Sequence, residues 1–83
     1  MNLLRIRQEI DAIDRSLLQL LRRRLLLVTQ TTGYKKQVAD NKREAELRAL
    51  WVEEARQSGL SEDFALRLLD DILTESHRIQ KNA

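Results

Sequence analysis

Apolar residues recur along the first part of the chain at Leu3, Ile6, Ile10, Ile13, Leu17, Leu20 and Leu27. With Arg24, Thr31, Tyr34 and Val38 the spacing alternates three and four, the seam of a helix that packs on other helices. It predicts one helix from about Leu3 to about Lys36, since no strong breaker precedes Gly33. One member of this seam is out of character. Arg24 carries a charge where its neighbours are aliphatic, and a buried guanidinium is costly unless an anion meets it.

Two shorter helices are expected to follow. Asp40 or Asn41 is the candidate N-cap of the second, and Asn41 with Glu44 has capping-box spacing. This helix would turn Ala45, Leu47, Leu50, Trp51 and Ala55 inward and stop before Gly59. Ser61 would cap the third, with Glu62 and Asp63 complementing its dipole. Its inner face would carry Ala65, Leu68, Leu69, Ile72, Leu73, Ser76, Ile79 and Gln80. The fold class expected is all-α, with three helices, one of them very long, in a single helical domain over residues 1–83.

Length changes this picture. A chain of 83 residues buries only about 60–65% of the surface its unfolded form exposes, so a lone core would be marginal. There is no cysteine to form disulfides, and the one histidine, His77, cannot build a metal cage and is expected at the surface. Oligomerisation is the remaining means of support. A helix of about 34 residues makes a rod of about 50 Å, whereas a compact globule of this length spans roughly 30 Å. The seam continues along the overshooting part, which predicts an intertwined homodimer with the long helices of two chains packed together. The longest apolar run is Leu25 to Val28, so neither an export signal nor a membrane span is expected, and the location expected is cytoplasmic.

The formal net charge is only +2, so the chemistry lies in where the charges fall. Arg7 lies beside the seam, on a stripe that Lys35 ends. Arg7 is about 25 Å from Arg24 along the rod, too far to share a small ligand within one chain, but an antiparallel partner could bring its Arg7 there. On the third helix, Ser76 and Gln80 place neutral hydrogen-bonding groups where packing would favour leucine. Asp40, Arg43 and Glu44 start the second helix beside free backbone N–H groups. Together these residues suggest a closed pocket for a small dicarboxylate, gripped by arginine through paired hydrogen bonds. The competing readings are a structural ion pair of Arg24 with Asp11, Asp14 or a glutamate, a solvated Arg7, and a Glu44 that merely caps its helix.

The same residues carry a resemblance to a known family. The opening Leu4-Arg5-Ile6-Arg7-Gln8-Glu9-Ile10-Asp11-Ala12-Ile13-Asp14, Arg24, Tyr34-Lys35-Lys36, Asp40 with Arg43-Glu44, and the pair Ser76 and Gln80 follow in order. In that order the chain resembles the all-helical (AroQ-class) chorismate mutases over nearly its whole length. The resemblance implies a homodimer of three-helix chains that converts chorismate to prephenate, without metal or cofactor. It implies that Arg24, Lys35 and Arg7 from the partner chain hold the two carboxylates. Lys35 and Gln80 would bond the ether oxygen, and Glu44 with the backbone near Asp40 would hold the ring hydroxyl. Ser76 would touch the ring carboxylate, and Arg43 would support the network. The connection between Lys35 and Asp40 departs from the family, being shorter and lacking proline. The nearest alternative is an isochorismate–pyruvate lyase of the same fold. A non-enzymatic helical module, whether a coiled coil or a nucleic-acid binder, is disfavoured because Glu9, Asp11, Asp14, Glu44 and Glu46 interrupt any basic stripe.

Overall fold

A computed structural model describes residues 2–31 and 40–82. They form three helices: α1 (Leu3–Gln30), α2 (Asn41–Ser58) and α3 (Glu62–Lys81). Among the described residues there is no strand, and no helix is long and apolar enough to cross a membrane. The expected extension of the first helix to Lys36, with Tyr34 and Lys35, lies outside the described residues.

Local chemistry explains each boundary. Asn2 caps α1 by accepting from the Arg5 amide at 2.9 Å. Asp40 caps α2 in the same way, accepting from the Arg43 amide at 3.1 Å. Asn41 is therefore the first helical residue, not the cap, and the expected Asn41–Glu44 capping box does not form. Gly59 ends α2 in the left-handed region, with φ of 73°. The Leu60 amide bonds back to the Ala55 carbonyl at 2.9 Å and the Gly59 amide to Arg56, the Schellman pattern that satisfies the final carbonyls. Ser61 caps α3 through the Phe64 amide at 3.2 Å, so α2 and α3 are joined by a turn of three residues.

The core lies between α2 and α3. Leu47, Leu69 and Leu73 pack together with Trp51 against them, and Leu69 is wholly enclosed. Ala55 and Ala65 are buried as well. Two expected inward residues of α2, Ala45 and Leu50, are exposed, because among the described residues α2 packs on α3 alone and offers it only the narrow stripe through Leu47, Trp51 and Ala55.

Helix α1 contacts α3 but has no fully buried residue. Leu21, Leu25 and Val28 are half-buried, as are Arg24 and Thr31. The earlier seam residues Leu3, Ile6, Ile10, Ile13, Leu17 and Leu20 are all between 41% and 66% exposed. The chain is correspondingly elongated, 52 × 27 × 15 Å, with a radius of gyration of 15.6 Å against roughly 12 Å for a compact chain of this length.

Candidate active site between the three helices

The C-terminal half of α1, the start of α2 and the last turns of α3 line an open-sided cavity of about 290 Å³, the size of a site for one small metabolite. Arg24 and Thr31 line it from α1, Asp40, Arg43 and Glu44 from α2, and Ser76, His77 and Gln80 from α3. Leu27, Val28, Leu47 and Leu73 supply the apolar wall. The helical period explains the α3 contribution. Leu73, Ser76, His77 and Gln80 fall three or four apart, so the stripe that builds the core becomes polar where it reaches the cavity.

Arg24 is half-buried, and its Nη1 donates to Ser76 Oγ at 3.3 Å. Among the described residues no carboxylate pairs with it, so the ion pair with Asp11 or Asp14 is not formed. Burial lowers its pKa from the ordinary value, and the Arg43 guanidinium lowers it further. The two effects are distinct, desolvation being the larger and charge repulsion the smaller. A partly desolvated cation faces another cation, and an anion placed between them would relieve both.

Ser76 is buried, and its hydroxyl donates to the Ile72 carbonyl at 2.8 Å while accepting from Arg24. Gln80 is also buried, and its Nε2 donates to Thr31 Oγ1 at 3.2 Å. Thr31 in turn donates to the Val28 carbonyl at 2.7 Å. These bonds tie α3 to the end of α1 and leave Gln80 a second amide proton for a ligand. At the start of α2, Asp40 is held by its capping role. Arg43 is largely exposed and lies 3.7 Å from Glu46, so it edges the cavity rather than filling it.

Glu44 is not a capping residue. Its Oε1 lies 2.8 Å from His77 Nε2, with the glutamate side chain 18% and the histidine 32% exposed. His77 was expected at the surface and instead lines the cavity. Its position three residues before Gln80 and four after Leu73 was the signal in the sequence. One expected site residue, Arg7, is not brought together with the rest, and another falls where nothing is described. Arg7 is exposed on the free half of α1, and Lys35 lies outside the described residues.

Three helices thus line one cleft in which Arg24, among the described residues, has no carboxylate partner, an all-helical chain with a single cation-bearing site. The chain belongs to the chorismate mutase type II family, whose model matches residues 6–81. The family's proteins are isomerases acting on chorismate, and the match covers nearly the whole chain. Comparisons with curated proteins and with solved structures gave no match.

Proposed function

We propose that this protein is a chorismate mutase that rearranges chorismate to prephenate in a site completed by a second copy of the chain. The observation that carries the reading is Arg24: a partly desolvated cation on the cavity wall, beside Ser76 and Arg43, with no acid to neutralise it among the described residues.

The reaction breaks the ether C–O bond of chorismate and forms a C–C bond within the same molecule. Every atom is retained, so the protein has to fold the substrate and stabilise negative charge on the ether oxygen. Arg24 and Ser76 stand close enough to donate to one carboxylate. In doing so the Ser76 hydroxyl exchanges its bond to Ile72 for one to the ligand. Gln80, fixed by Thr31, donates to the ether oxygen together with Lys35. Glu44 accepts from the ring hydroxyl, with the Asp40 backbone beside it. Arg43 supports the carboxylate network from the rim.

Charge balance supports the dimer. Among the described lining residues, Arg24 and Arg43 are offset by Asp40 and Glu44. A dianion therefore needs further cations, and Lys35 and the Arg7 of a second chain are the candidates. The exposed seam from Leu3 to Leu20 needs the same partner, since an apolar stripe of that length gains by being covered. The whole of residues 1–83 then acts as one domain of a homodimer, with chorismate as its ligand and neither nucleic acid nor membrane.

Incubation with chorismate and with isochorismate tests the reaction. Prephenate from chorismate supports the mutase; pyruvate from isochorismate with inert chorismate would support the lyase instead. The shared site has its own test. Arg7→Ala and Arg24→Met, each nearly inactive alone, are expected to regain about a quarter of wild-type activity when mixed and allowed to exchange. Half of the dimers are then mixed, and each mixed dimer holds one intact site. No recovery after demonstrated exchange would place Arg7 outside the partner's site.

A further inference from the structure

We infer that His77 is a positioning residue that sets the Glu44 carboxylate to receive the substrate's ring hydroxyl; this rests on the mutase reading above. Glu44 and His77 come from different helices and meet on the cavity wall, with Nε2 to Oε1 at 2.8 Å. An ionised carboxylate only accepts, so the proton in this contact belongs to the imidazole. The bond occupies one carboxylate oxygen and fixes the torsion of a side chain that would otherwise move freely at the first turn of α2. The other oxygen is left to accept a hydroxyl from the ligand. The glutamate's ion-pair partner among the described residues is this imidazole, not a guanidinium. Arg24 bonds to Ser76, one residue before His77, and Arg43 reaches toward Glu46, so neither guanidinium forms an ion pair with Glu44. The remaining charged groups on this part of α3 point elsewhere: Arg78 pairs with Glu75 on its own helix, and Lys81 is exposed.

Kinetics of wild type, His77→Val and His77→Gln with chorismate test the inference, beside binding of chorismate's ring-deoxy counterpart. Glutamine carries an amide N–H at the same reach as the imidazole Nε2, whereas valine carries none. His77→Val is expected to raise KM about five- to twentyfold with kcat within about twofold, because the hydroxyl contact is made equally in ground and transition states. His77→Gln is expected to return KM to within about twofold of wild type. The ring-deoxy ligand, lacking the hydroxyl, is expected to bind wild type and His77→Val alike. A valine penalty of equal size for both ligands, or glutamine no better than valine with both variants melting like wild type, overturns the positioning role. Wild type that binds both ligands but forms no prephenate overturns the mutase reading, and the comparison of the two ligands then still decides the role of His77.

Discussion

Arg24→Met is expected to lower kcat/KM for chorismate by on the order of 10²-fold or more while leaving the melting temperature unchanged or raised. The activity loss follows from the environment of the guanidinium. Removing one partner of a desolvated charge pair costs about 3–5 kcal/mol, and each 1.36 kcal/mol is about tenfold in rate. Stability moves the other way because, in the unliganded chain, Arg24 is a cost. It is partly desolvated, faces Arg43, and has no carboxylate partner among the described residues. Methionine keeps an unbranched apolar stem and removes the charge, while Ser76 keeps its bond to Ile72. Steady-state kinetics and a thermal melt at one chain concentration measure both effects. A melting temperature lowered by many degrees would instead make Arg24 a structural residue.

Gln80→Ala and Lys35→Ala are each expected to lower kcat at least tenfold without dissociating or unfolding the protein. A preorganised donor aimed at developing negative charge is worth about 3–4 kcal/mol, on the order of 10²–10³ in rate. Gln80 meets the condition of preorganisation, since it is buried and its amide is anchored by Thr31. For Lys35 the expectation rests on the family resemblance and on the charge the cavity still needs. Because these bonds strengthen as the ether bond breaks, kcat and kcat/KM should fall together. A rise in KM with unchanged kcat would assign the two residues to substrate binding only.

Much of this arrangement was legible in the order of residues. The three helices and the caps at Asp40 and Ser61 follow from local chemistry, and so does the stop at Gly59. The polar end of the α3 stripe, Ser76 and Gln80, followed from period alone, and both residues are buried beside the cavity. What periodicity could not supply was the width of each buried face. Ala45 and Leu50 share the inward side of α2 by period, yet they are exposed because, among the described residues, α2 meets only α3. The Glu44–His77 contact was hidden for a related reason. It joins two helices, and neither residue departs from its own helix's pattern as Arg24 does. A mismatch of lengths led to the expectation of a second chain. In the structure the apolar stripe from Leu3 to Leu20 is exposed, which agrees with that expectation without testing it.

The most direct test of the central claim, that hidden cations clasp a doubly negative ligand, is calorimetric titration with a rigid bicyclic dicarboxylate shaped like the folded substrate. Wild type is predicted to bind one molecule per chain, more tightly than chorismate, and Arg24→Met to lose at least about 100-fold in affinity. Equal binding by the two proteins, or no binding by wild type, would contradict the account.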